Sequence, residues 1–146
     1  MGVSKGEAQF MMLLFDTNII IDIILTREPF FNDSSKVFEF VDGEKFKGCV
    51  TASSLTDIYY IVKKKSDHTT AINFIESLIL TVDILNVNKD PIILALHASF
   101  KDFEDAVQNT AAELNHVDLI ISRNTQDFIN SKIPVQTPTD FLKKHN

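Results

Sequence analysis

The chain has 146 residues, with 14 Lys and Arg against 20 Asp and Glu, so its formal charge is −6 and its pI is about 5.1. That length suits one domain burying roughly 68–70% of its unfolded surface, and a composition 45% apolar and 23% charged excludes a disordered or low-complexity chain. One cysteine, Cys49, excludes a disulfide framework and a multi-cysteine zinc site; His68, His97, His116 and His145 lack ligand spacing; and the acidic balance argues against a module that grips nucleic acid by bulk charge alone.

Residues 1–9 are polar and aperiodic, so residues 1–11 are expected to form a flexible extension and residues 12–146 a single domain. The longest apolar candidate, residues 11–25, is interrupted by Asp16, Thr17, Asn18 and Asp22 and falls short of the roughly 18 residues of a membrane span. No small-residue cleavage site follows it. The expectation is a soluble cytoplasmic protein, with Cys49 a small core residue.

Met12-Leu13-Leu14-Phe15 is a short continuous apolar run, as in a strand covered on both faces. Ile19, Ile20, Ile23 and Ile24 then fall on one helical stripe with Asp22 off it, capped by Thr17 or Asn18; Asp22 reads as a solvated helix position and Asp33 as a cap. An amphipathic stretch through Val37, Phe38, Phe40 and Val41 stops at Asp42-Gly43, and residues 48–52 form a strand. Ser53-Ser54 opens a helix that finishes at Lys63-Lys64-Lys65, and a further helix spans residues 68–80. Residues 82–85 read as a strand. Asp90-Pro91 and Asp102 each start a helix, residues 118–122 form a strand, Val135 a last short one, and residues 139–144 a closing helix. Strands alternating with helices predict an α/β fold, a three-layer α/β/α sandwich around a central parallel sheet.

In such sheets, ligands bind beyond the carboxyl ends of the strands, where the strand order reverses. Asp16 ends the first strand, Asp57 lies three residues after Ser54, Asp105 three after Asp102, and Asn124 and Asp127 follow the strand at 118–122. Four segments therefore deliver acidic or amide groups to one rim. Carboxylates held together repel and must be protonated or bound to a cation, and an all-oxygen set favours Mg²⁺ or Mn²⁺. Each acid also has a plainer reading. Ser54 to Asp57 and Asp102 to Asp105 resemble capping boxes, whereas Asp16 abuts a buried strand and must find partners for its charge. The case rests on their joint arrangement.

With Leu14-Phe15-Asp16-Thr17-Asn18, Ser54-Leu55-Thr56-Asp57-Ile58-Tyr59-Tyr60, Asp102-Phe103-Glu104-Asp105-Ala106 and Ile120-Ile121-Ser122-Arg123-Asn124-Thr125-Gln126-Asp127-Phe128 in this order, the chain resembles a PIN domain, the small metal-dependent ribonuclease fold of VapC-type toxins. The resemblance covers residues 13–142. It implies hydrolysis of RNA phosphodiesters to 5′-phosphate and 3′-hydroxyl ends with one or two Mg²⁺ or Mn²⁺ ions. The family's acids fall on Asp16, Asp57 (Glu in many relatives) and Asp105. Asn124 stands where the fourth is commonly Asp, so either Asn124 or Asp127 completes the set. Thr17, Asn18 and Ser122 match supporting polar positions. Arg123, Lys63 and Lys64, with Arg27, Lys65 and Lys132, are the candidates for RNA contact, although Lys63 to Lys65 also suit a solvated helix end. A small antitoxin and a homodimer are the implied partners. The main rival is a PIN-like scaffold without activity; a phosphotransfer protein would need an acid at Asn18 or paired acids before its first helix, which are absent from the sequence.

Overall fold

The computed structural model describes residues 10–145. In chain order the elements are β1 (Met12–Phe15), α1 (Thr17–Ile24), α2 (Phe31–Asp42), β2 (Lys47–Thr51), α3 (Ala52–Lys65), α4 (His68–Thr81), β3 (Asp83–Leu85), α5 (Lys89–Leu96), α6 (Phe103–Leu114), β4 (Leu119–Ile121), a 3₁₀ turn (Thr125–Phe128), β5 (Val135–Gln136) and α7 (Pro138–His145). The strands form one parallel sheet in the order β3-β2-β1-β4-β5. The chain lays down β1, β2 and β3 in one direction and then returns to the other side of β1 for β4. The order therefore reverses between β1 and β4, where Phe15 pairs with Ile121.

Successive side chains of a strand point to opposite faces, and each face of this sheet is covered. Leu13, Phe15, Val50, Leu119 and Ile121 pack with residues of α1, α2, α3, α4 and α7. Leu14, Cys49, Leu85 and Ile120 pack on Ala111 and Ala112 of α6 and on Phe128. This double burial is why the strands read as uninterrupted apolar runs. Close packing makes Gly48 necessary: a Cβ there would stand 2.9 Å from Phe15 and 2.9 Å from Val41. The Cys49 thiol, pushed up to about 12 mainly by burial, is an inert core group.

Three local expectations change. Thr17 and Asn18 lie inside α1, whose N-cap residue is Asp16. The helix expected from Val37 begins at Phe31, so Asp33 sits in its first turn, where its carboxylate accepts from the Thr139 hydroxyl. Asp22 is not solvated. It is fully buried, 2.7 Å from Arg123 Nε and 3.6 Å from Arg27. The far side of α1 does not face water: α1 packs against both α2 and α3, and the two arginines close over the carboxylate that remains. Of the expected extension over residues 1–11, residues 1–9 lie outside the described residues; the Met11 carbonyl accepts from the Lys47 N–H at 3.0 Å. Among the described residues, no helix is long and apolar enough to cross a membrane.

Candidate active site

Asp16 follows β1 where the strand order reverses, and its backbone N–H continues the ladder to the Ile121 carbonyl at 3.0 Å. Its side chain is 6% exposed. Gln108 Nε2 donates to Oδ1 at 3.1 Å, and Ser122 Oγ, one residue beyond β4, donates to Oδ2 at 2.8 Å. Both carboxylate oxygens are thus fixed by neutral donors. Burial raises the pKa of Asp16 against these two hydrogen bonds and one from the Thr17 backbone, and the charge of Asp127 raises it further.

Gln108 is fully buried on α6, and its Oε1 accepts from the Thr17 N–H at 3.3 Å. One amide therefore clamps the end of β1 and the start of α1. Thr17 Oγ1 lies 2.6 Å from Ser54 Oγ, which in turn lies 3.0 Å from Thr51 Oγ1. This hydroxyl chain ties α1 to the start of α3. It also replaces the capping box expected at Ser54: α3 starts at Ala52, with Thr51 as its N-cap residue, and Asp57 stands in the second turn. Asn18, by contrast, is exposed at the surface of α1.

Asp102 does cap α6, accepting from the Asp105 N–H at 3.0 Å. That cap presents the first turn of α6, with Glu104 and Asp105, to the same rim. The Asp105 carboxyl is pushed up to about 7, chiefly by burial and then by the charges of Asp16, Asp102 and Asp127. Glu104, which sequence reasoning passed over, is pushed up to about 8, first by a hydrogen bond with Asp57 and then by burial and the charges of Asp57, Asp16 and Asp102. Its Oε2 is buried without a hydrogen-bond partner. Charges from four chain segments thus bear on the three raised carboxyls: Asp57 on Glu104, Asp127 on Asp16 and Asp105, and Asp16 on both Glu104 and Asp105. A cleft of about 170 Å³ runs beside them, lined by Lys101, Asp102, Asp105, Gln126, Asp127 and Asn130.

Both candidates after β4 are exposed, and the Asn124 backbone N–H donates to Ser122 Oγ at 3.2 Å. Asp127, in the 3₁₀ turn, is the one whose charge reaches both Asp16 and Asp105. Arg123 is turned away from the cluster: its Nε is held on Asp22 and its guanidinium lies 4.3 Å from the centre of the Phe30 ring. Lys63 and Lys64 are exposed at the far end of α3. Gln108 and Glu104 left faint signals. Gln108 falls one turn after Asp105 on the α6 face that also carries Ala111 and Ala112, and Glu104 lay hidden in the apparent capping sequence.

Among the described residues no three acidic, His or Cys side chains close on a common point. The donor chemistry nonetheless fits a hard cation. Every side chain offered is oxygen-bearing, one carboxylate oxygen is buried and unpartnered, and three acids are held above their ordinary pKa values. Mg²⁺ keeps several of its waters and is usually bound through one or two carboxylates, so a loose ring of acids suits it.

The sequence profile of the PIN domain family matches residues 12–126. No curated protein sequence matches the chain. Solved structures share its fold. A toxin-antitoxin complex from Klebsiella pneumoniae is 25% identical, with 86% of this chain and 97% of that chain covered and a TM-score of 0.65. A DNA-bound VapBC from Salmonella typhimurium is 14% identical, with coverage of 88% and 99% and a TM-score of 0.67. VapC20 from Mycobacterium tuberculosis, described as a sarcin-ricin loop cleaving toxin, is 10% identical, with coverage of 77% and 90% and a TM-score of 0.63.

Proposed function

The chain belongs to the PIN domain family, and from that premise we propose that it is a ribonuclease using Mg²⁺ or Mn²⁺ to hydrolyse RNA phosphodiesters, the toxin of a toxin-antitoxin pair. The observation that carries this reading is Asp16. It is a buried carboxylate at the switch point of the sheet, fixed through both oxygens and within electrostatic reach of Glu104, Asp105 and Asp127, with Asp57 joined to the group through Glu104. Burying a carboxylate costs free energy that neutral hydrogen bonds offset only in part, and a bound cation would offset the rest.

Asp16, Asp105 and Asp127 would hold one ion, and Asp57 with Glu104 a second or its water. Such ions lower the pKa of water and stabilise the charge that develops on a phosphodiester. The residues of the chain do the rest. Gln108 and Ser122 keep Asp16 in one rotamer, so its geometry is set before substrate arrives. Lys101 at the lip of the cleft offers a cation to a phosphate. In the proposed reaction water attacks phosphorus in line and the P–O3′ bond breaks; a carboxylate of the cluster would take the proton lost by water, and a proton from solvent would complete the 3′-hydroxyl.

The test is cleavage of a fluorescent single-stranded oligoribonucleotide in Mn²⁺ or Mg²⁺, with EDTA and Asp16→Asn as controls. Cleavage should disappear in both controls, while the circular dichroism spectrum of the variant stays that of the parent. Full activity in Asp16→Asn, or none in the parent with either ion, would overturn the proposal and leave a scaffold reading. The same reading extends to partners: a small antitoxin laid over the cleft and a homodimer. The toxin-antitoxin complex among the structural relatives supports the first, and light scattering of the chain alone tests the second.

A further inference from the structure

On α3, Asp57 stands in the second turn and Lys63, Lys64 and Lys65 in the last. Asp57, Tyr60 and Lys64 follow at steps of three and four residues, so they stand on one face of that helix. Seven residues of helix carry the path about 10 Å from the carboxylate cluster. Tyr60 is 73% exposed, a large ring that the core does not use. Beside it the arrangement is ordered: the Tyr59 hydroxyl lies 2.8 Å from His68 Nδ1 at the start of α4, and Lys63 Nζ sits 5.8 Å from the centre of the Tyr59 ring. Tyr59, Tyr60, Lys63 and Lys64 line a shallow groove of about 240 Å³.

We propose that this groove is the binding path for single-stranded RNA leading to the carboxylate cluster, with Tyr60 stacking on an unpaired base and Lys63 and Lys64 meeting the flanking phosphates. The identity of the strand rests on the ribonuclease reading. The groove's own chemistry supports it: an exposed aromatic ring beside paired cations is how proteins hold single strands without reading sequence. Charge complementarity favours this occupant further. In a chain of net charge −6, Lys63, Lys64 and Lys65 are a concentrated run of positive charge, and they lie on the helix that also carries Asp57. Favourable interaction with the end of the helix accounts for the lysines, but not for Tyr60 left bare among them.

Fluorescence anisotropy with a labelled 12-nucleotide single-stranded RNA, in EDTA so that no cleavage occurs, tests the path apart from catalysis. Tyr60→Ala should weaken binding about fivefold or more and leave binding of a duplex of the same length unchanged, since duplex bases are already stacked. Lys63→Ala/Lys64→Ala should lower the slope of log affinity against log salt by about 1.4, two contacts at about 0.7 each. Lys36→Ala/Lys89→Ala, which removes the same charge from α2 and α5, should leave Kd within twofold. All four positions other than Tyr60 are exposed, as Tyr60 is, so folding is not at stake. The path is overturned if Tyr60→Ala stays within twofold of the parent, if the control pair weakens binding as much as the Lys63 and Lys64 pair, or if the parent binds no RNA. Cleavage by a parent whose Kd these variants do not move would sink the path alone. Binding that they do move, in a parent that never cleaves, would sink the ribonuclease reading alone.

Discussion

Gln108 makes the site depend on an uncharged side chain. Its Nε2 donates to Asp16 Oδ1 and its Oε1 accepts from Thr17 N–H, so one residue orients the carboxylate and joins β1 to α1. In Gln108→Ala, Asp16 keeps the Ser122 hydroxyl and the Thr17 backbone hydrogen bond, but loses the donor that holds Oδ1 and gains freedom to rotate. Outer partners of metal-binding carboxylates are worth about 10–100-fold in affinity or activity, and that loss is expected here in manganese-dependent cleavage and in Mn²⁺ affinity by calorimetry. Gln108→Glu should be worse, because it places a second carboxylate against Asp16. An alanine variant that binds Mn²⁺ as the parent does would show that Asp16 is positioned without the amide. Gln108 and Glu104 were hard to see in the sequence for a shared reason. Whether a polar residue on a helix faces water or a buried acid depends on what packs opposite, and that partner is 92 residues away for Gln108. Asp16 was legible because strand and acid are adjacent in the chain.

The elements themselves were readable wherever a face is buried by a regular pattern. Every strand and helix expected from periodicity is present, and the end of β1 and the start of α6 bring Asp16 and Asp105 within electrostatic reach of each other. Asp22 in α1 shows where pattern reading stops. A helix with an apolar stripe has a polar face only if nothing covers it, and Arg123 from beyond β4, 101 residues away, covers this one. The ion pair staples α1 to the segment between β4 and the 3₁₀ turn that bears Asp127. Removing one partner of a buried pair costs about 3–5 kcal/mol, since the remaining charge stays in place. Arg27 at 3.6 Å offers Asp22 partial compensation, so Arg123→Ala is expected at the lower end, about 3 kcal/mol in urea unfolding. Asp22→Ala, which strands two arginines that can still turn toward water, should cost less. The reverse order would mean that Arg27 alone satisfies the Asp22 carboxylate once Arg123 is gone, and that Arg123 is not what holds the buried charge.

At the scale of the whole molecule, a fold stabilised by apolar burial on both faces of its sheet carries a cluster of acids that works against it. Asp16, Glu104 and Asp105 all bind protons more tightly in the folded chain than the unfolded one. Below their ordinary values, 3.8 for Asp105 and 4.5 for Glu104, they are protonated in both states and contribute nothing to the difference. As pH rises past those values, the unfolded chain loses its protons first. Stability then falls with pH because the folded state binds more protons, and the loss is complete above about 7 for Asp105 and about 8 for Glu104. In EDTA the melting temperature should therefore drop between pH 5.5 and 8.5. Under the proposed function Mn²⁺ would bind only the folded, deprotonated cluster, and it should then raise the melting temperature more at pH 8.5 than at 5.5. Glu104→Gln removes one of the titrating groups and should flatten the metal-free pH dependence, a readout that owes nothing to catalysis. A metal-free melting temperature that holds level from pH 6 to 8.5 in both proteins would mean the acids are too far apart, or too well hydrated, to strain the fold. The cation would then lose its thermodynamic reason to bind there.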